Sequence, residues 1–226
     1  MKRIVIVLIA TILTNSTSTI AALATPPASE TEEITTGLYN AIGNKTLSPE
    51  AFRLAFLGWQ ELKDSLQLNA HILSVVDFSQ SSDKKRFYLI DLDKKAIVYQ
   101  DYVAHGKNTG NLWAKDFSNI PNSNQSSLGF YKTGETYFGK HGLSLKLDGL
   151  EKGINHLARE RAIVIHSADY AEESFIKTYG RLGRSFGCPA LPAKNYPQII
   201  EKIKEGSLLF IYYPQEEYLK NSTVLN

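Results

Sequence analysis

Cys188 is the only cysteine among 226 residues and sits in the segment Gly183-Arg-Ser-Phe-Gly-Cys-Pro-Ala190. With no second cysteine it forms no intramolecular disulfide, and a lone thiol in a chain that carries an export signal points to retention for its chemistry. The competing role is that of a small buried apolar residue. The neighbours favour a nucleophile. Gly187 removes the Cβ before the sulfur, which permits a tight turn and close approach of a substrate to the backbone. Pro189 lacks an N–H and pushes Cys188 toward an extended conformation, so the thiol is expected on a fixed turn. The amides of Phe186, Gly187 and Cys188 are expected to converge on a developing oxyanion, as acyl transfer requires. Arg181 and Arg184 add positive charge that favours the thiolate, or else stand on a solvated loop face.

A sulfur nucleophile needs a base within hydrogen-bond reach. Of His71, His105, His141, His156 and His166, the last ends the apolar run Ala162-Ile-Val-Ile165 and precedes the polar Ser167-Ala-Asp-Tyr170. That is the signature of a short buried strand, whose end holds a side chain rigidly near the surface. The alternative is a core histidine bonded to a backbone carbonyl. The intervening Ala171 to Arg184 reads as a short helix plus a Gly-Arg loop that folds back to bring His166 and Cys188 together. His105, His141, Tyr131 and Tyr137 are candidates to line a groove, or are simply turn and packing residues. Ser185 and Phe186 share the cysteine's turn and join Arg181, Arg184, His141 and Tyr131 as substrate-binding candidates. Cys188, His166 and His141 lack the Cys-x-x-Cys or His-x-x-x-His spacing of a zinc site, so no metal is expected. Gly183-Arg-Ser-Phe-Gly187 lacks the lysine and spacing of a phosphate loop. No cofactor is called for.

The pattern His166-Ser167 followed by Arg184-Ser-Phe-Gly-Cys188 resembles the catalytic signature of the L,D-transpeptidases, cell-wall enzymes with a cysteine nucleophile. Tyr102-Val-Ala-His-Gly-Lys107, Asp116-Phe-Ser-Asn119, Ser126-Ser-Leu-Gly-Phe-Tyr131, Tyr137-Phe-Gly-Lys-His-Gly142 and Gly180-Arg-Leu-Gly-Arg184 are similar to the murein L,D-transpeptidase catalytic-domain subgroup. The resemblance spans roughly Leu47 to Pro214. It implies Cys188 as nucleophile, His166 as general base, Ser167 as a neighbour that helps position the imidazole, and peptidoglycan stem peptides as substrate. Most members place a second histidine before the Gly-Cys and an Arg or Asn two residues after the cysteine, where this chain has Phe186 and Ala190. Recognition of the stem carboxylate then falls to Arg181 or Arg184. Two other functions fit the same residues, an L,D-carboxypeptidase or amidase that hydrolyses stem peptides and a non-catalytic peptidoglycan-binding module.

Outside the site, Lys2-Arg3, the apolar run Ile4 to Leu13 and Ala22-Leu23-Ala24 make a signal peptide over residues 1–24, hence export to the periplasm or cell envelope and no stable membrane insertion after cleavage. Cleavage there leaves 23 basic and 23 acidic side chains, a balance that argues against nucleic acid or anionic membrane as partner. Residues 25–68 read as a tether and an N-terminal helical cap. Thr31 to Asn40 is amphipathic, and Ser48 with Pro49 opens a longer helix whose Phe52, Phe56, Trp59 and Leu66 form one core-facing stripe. After Asn69 the texture turns to short strand-like runs at 71–78, 86–92, 96–103, 128–133, 143–147, 161–167 and 207–213. One helix is expected over 195–205, stopped by Gly206. The polar, aromatic-spiked 108–127 is long enough to be a functional loop. The expected fold is mixed and mainly β, a sandwich or a curled mixed sheet with few helices. The catalytic domain is placed at 69–214, with a C-terminal tail at 215–226. Nothing in the sequence sets an oligomeric state.

Overall fold

The computed structural model describes residues 28–68 and 71–226, so the expected signal peptide lies outside the described residues. Helices α1 (Ala28–Ile42) and α2 (Pro49–Leu62) come first. They are separated by Gly43 at φ +65° and by Asn44, whose Oδ1 accepts from the N–H groups of Thr46 and Leu47 at 2.8 and 3.0 Å. Ser48 caps α2 as its sequence demands, its Oγ accepting from Ala51 N–H at 3.3 Å ahead of Pro49 in the first turn. The α2 stripe buries Phe52 and Phe56, and Gly58 allows the helix to close on the sheet, since a Cβ there would lie 2.2 Å from the Phe130 ring.

Eight strands follow: β1 (Ile72–Asp77), β2 (Phe87–Asp91), β3 (Ala96–Asp101), β4 (Gly129–Gly139), β5 (Gly142–Gly149), β6 (Val164–Ser167), β7 (Ala190–Leu191) and β8 (Leu208–Tyr212). A 3-10 turn at Asp169–Ala171 and helix α3 (Glu173–Tyr179) fill the gap between β6 and β7, α4 (Tyr196–Ile203) precedes β8, and α5 (Glu216–Asn221) follows it. The strands form one mixed sheet in the order β3-β2-β1-β8-β4-β5-β6-β7. Pairs β1–β8 and β6–β7 are parallel and the rest antiparallel. Of the two arrangements expected, the curled sheet is the one formed. Its edges nearly meet: past β3 the chain continues to Ala104, which donates to Ala190 O of β7 at 2.8 Å, and Gly106 bridges Ser185. Strands β2 and β8 are buried along their whole length and β1 at all but its first residue, which explains their continuous apolar runs.

The C-terminal residues, expected as a tail, instead form α5 and bury Tyr218. Its hydroxyl and that of Ser222 donate to the carboxylate of buried Glu151, which also accepts from Phe130 N–H at 2.8 Å. The 108–127 segment carries no named strand or helix, only an isolated bridge between Gly110 and Ala114.

Candidate active site

The site is built where the curled sheet closes. Strand β6 lies between β5 and β7, with His166 in register with Ser144 on one side and Ala190 on the other. Tyr196 of α4 fastens β5 to β6, its buried hydroxyl donating to Leu143 O and Ile165 O at 2.8 and 3.0 Å. His166 is 2% exposed, and its Nδ1 lies 3.0 Å from Ser167 O. A carbonyl only accepts, so Nδ1 carries the hydrogen and Nε2 keeps the lone pair available to a proton. The contact that Ser167 makes with the ring is through its backbone carbonyl. His141, at the tip of the two-residue β4–β5 turn, stacks on His166 with centroids 4.3 Å apart, and Tyr170 approaches the same ring edge-on at 6.4 Å. Burial lowers the His166 pKa, the Ser167 carbonyl opposes that, and positive charge on His141 lowers it further.

The cysteine's turn is braced from inside. Ser185 Oγ donates to Cys188 O at 2.6 Å and accepts from Gly187 N–H at 3.0 Å, while Ser126 Oγ donates to Gly187 O at 3.0 Å. Gly187 adopts φ +129°, and a Cβ there would stand 2.8 Å from Gln125 O, so glycine is required on both counts. The Gly187 amide, expected to face an oxyanion, is therefore used within the turn; the amides of Phe186 and Cys188 have no acceptor among the described residues. Cys188 lies two positions before Ala190, the register partner of His166. Its sulfur accepts from Val164 N–H at 3.5 Å and lies 3.7 Å from Ala162 O, with no hydrogen bond to the imidazole. Burial raises the thiol pKa above its ordinary value, and the Val164 N–H, the Arg161 guanidinium and the cysteine's own N–H offset only part of that rise.

The remaining candidates divide. Phe186 is 71% exposed with Lys107 Nζ 4.6 Å over its ring. Arg184 is exposed and donates to Lys107 O and Gly110 O at 3.3 and 3.2 Å; Arg181 donates to Leu182 O at 2.7 Å. Ser185 points into its own turn. Tyr131 and His105 are corrections: both are fully buried and line no groove. The Tyr131 hydroxyl donates to Ser127 O at 3.0 Å, and His105 Nδ1 accepts from Arg86 Nη2 at 2.8 Å. Two neighbours went unnoticed in the sequence, Tyr170 and Arg161. Tyr170 sits in the polar run after His166, whereas nothing in the local pattern separates Arg161 from Arg159 two residues earlier. Among the described residues, no group of three or more His, Cys, Asp or Glu side chains is placed to hold a metal.

The profile of the L,D-transpeptidase catalytic domain matches residues 43–212, and the chain belongs to that family. No curated protein sequence matches it. Similar solved structures include an L,D-transpeptidase from Mycobacterium smegmatis (11% identity, TM-score 0.41, 63% of this chain and 59% of that one). An L,D-transpeptidase from Mycobacterium tuberculosis H37Rv gives 12% identity, TM-score 0.41 and coverage of 63% and 58%. The helical cell shape determining protein Pgp2 from Campylobacter jejuni gives 14% identity, TM-score 0.38 and coverage of 71% and 55%. The chain thus spans less than two thirds of the length of each.

Proposed function

We propose that this chain is an exported L,D-transpeptidase that remodels peptidoglycan stem peptides through a thioester on Cys188. The observation that supports this most is the placement, within a domain of that family, of the Cys188 turn along β6, with its strand continuation in register with His166. The Cys188 thiolate attacks the carbonyl carbon of an L,D-peptide bond, and the unpaired N–H groups of Phe186 and Cys188 take up the oxyanion. Collapse expels the D-amino acid, whose amine takes a proton from His166 Nε2. A second stem amine then attacks the thioester, returns a proton to the neutral imidazole and releases the thiolate; water in its place gives hydrolysis. The sulfur and imidazole are not hydrogen-bonded in the free protein, as is common before substrate closes a site.

The test is incubation of wild type and Cys188→Ala with tetrapeptide-bearing muropeptides, read by mass spectrometry. Cross-linked dimers from wild type alone are expected. Trimmed monomers alone would assign the chain to the hydrolases, and no turnover, with no covalent adduct from a carbapenem, would leave only a wall-binding role. Export rests on residues 1–24 and is tested by the mass of the protein recovered from the envelope, which should correspond to a chain beginning at Thr25.

A further inference from the structure

The cysteine's turn faces a cation with no acid beside it. Half-buried Arg161 donates from Nη1 to Ser118 O at 2.7 Å and to Ser127 Oγ at 3.1 Å, and from Nη2 to Gln125 O at 2.6 Å and to Ser123 Oγ at 3.2 Å. All four acceptors are neutral. Removing a guanidinium from water without an anion is costly, and arginines so placed are usually paired. Arg53 pairs with Glu50 and Arg159 bridges Glu135 and Asp148, while fully buried Arg86, bonded like Arg161 to neutral acceptors, still lies within the field of Asp77 and Asp83. The ionisable groups that Arg161 feels are Tyr131 and Cys188. Burial raises the phenol of Tyr131 far above neutrality, so it stays uncharged. The sulfur is left. A Cβ on Gly187 would stand 3.4 Å from Arg161 Nη2, and the carbonyl of Ala162, the next residue after Arg161, is 3.7 Å from Sγ.

We propose that Arg161, on the segment that the 118–127 loop covers, is the counter-cation of the Cys188 thiolate. The proposal rests on Cys188 as the nucleophile. On ionisation the thiol proton passes to His166 or to solvent, and the negative sulfur pairs with a charge already fixed beside it, which offsets part of the burial that disfavours a thiolate. The other groups facing the sulfur do not supply this charge. Val164 contributes a neutral N–H and Tyr170 of the 3-10 turn a phenol whose pKa burial raises, and the His166 imidazole of β6, whose pKa burial lowers and on which His141 stacks, makes no hydrogen bond to the sulfur. Arg184 is engaged with the Lys107 and Gly110 carbonyls and Arg181 with that of Leu182.

The test reads thiol ionisation directly, as the pH dependence of Cys188 alkylation by iodoacetamide in the full chain. Arg161→Gln should slow alkylation at neutral pH by about tenfold, the effect of one unit in pKa, with rates converging in alkali. Arg161→Lys should stay within about threefold of wild type, because it keeps the charge while losing the fork of bonds. A Gln variant that alkylates with the wild-type profile overturns the proposal, as does a Lys variant slowed as much as the Gln variant, since both outcomes describe a brace rather than a charge. If the Gln variant fails to fold, Ser123→Ala combined with Ser127→Ala decides: it cuts two neutral ligands and leaves the cation, so a profile like wild type is expected and a tenfold loss overturns the assignment. Failure of the transpeptidase reading is seen separately, as absent muropeptide turnover by wild type.

Discussion

A buried imidazole with a second imidazole stacked on it titrates below its ordinary range, and this sets the acid limb of any rate that needs His166 as a base. Replacing the exposed His141 by alanine opens His166 to water and removes a like charge. Both changes raise its pKa toward the ordinary value of about 6.5. The variant His141→Ala should therefore lose kcat/KM relative to wild type at about pH 6 and regain it in the alkaline range, where His166 is neutral in both proteins. A pH profile with the acid limb unmoved would refute a shielding role. Cys188 and His166 stood out in the sequence because their types are rare and their neighbours carry information, glycine and proline about the thiol and an apolar run ahead of the imidazole, but their side chains are not hydrogen-bonded to each other. Arg161 was illegible for the opposite reason. Its partners Ser118, Ser123, Gln125 and Ser127 lie 34 to 43 positions earlier, and only folding reveals that none of them is an acid.

At the scale of elements, two glycines test how the turn and the helix are seated. Gly187→Ala would force a Cβ into φ +129° and to 2.8 Å from the backbone oxygen of Gln125, so the turn must shift and carry the sulfur with it. A loss of about 1–3 kcal/mol in unfolding free energy is expected from the strain, with loss of Cys188 acylation well beyond that. Wild-type acylation in a folded alanine variant would show that the turn geometry is not required. At Gly58, in the middle of α2, alanine would gain about 1 kcal/mol in helix propensity. Against that, its Cβ meets the Phe130 ring at 2.2 Å, and Phe130 cannot yield because it is fully buried and stacked on Phe210 at 4.3 Å. Overpacking costs about 1–3 kcal/mol and wins, so Gly58→Ala should lower the urea midpoint; a raised midpoint would show that α2 sits less tightly on β4. The cap at Ser48, the stripe of α2 and most strands could be read from periodicity and turn residues. Strand β7 could not, because two residues, Ala190 and Leu191, show no period, and they become a strand only by pairing with β6. Helix α5 was missed because it is only six residues long, half of them charged, and only Tyr218 is buried.

For the whole molecule the closure of the sheet has a titratable consequence. Short strand runs and few helices made a mixed, mainly β fold legible, but not that the chain past β3 would cross to β7 and bury His105 on the way. There, Nδ1 accepts from Arg86 at 2.8 Å and Nε2 faces Gly110 O at 3.3 Å, a pairing that suits only the neutral ring. Burial, reinforced by the charge of Arg86, pushes its pKa down to about 3. In the unfolded chain the value returns to about 6.5. Between those values the unfolded chain binds a proton that the folded chain refuses, so stability is full above about pH 6.5 and falls as the pH drops through that window, by up to about 1.4 kcal/mol per unit. His166, also depressed, adds to the slope near its upper end. Carboxylates held low, Glu135 at about 2 among them, act only in stronger acid. Urea unfolding of wild type at successive pH values from about 7 to 4.5 should show this decline. His105→Gln cannot take up the proton; it should be less stable at neutral pH, having lost a fitted ring, yet decline less steeply with acid. An equal slope in both proteins would mean that His105 is free to charge in the folded state, and that the Arg86 contact does not hold the closure of the sheet.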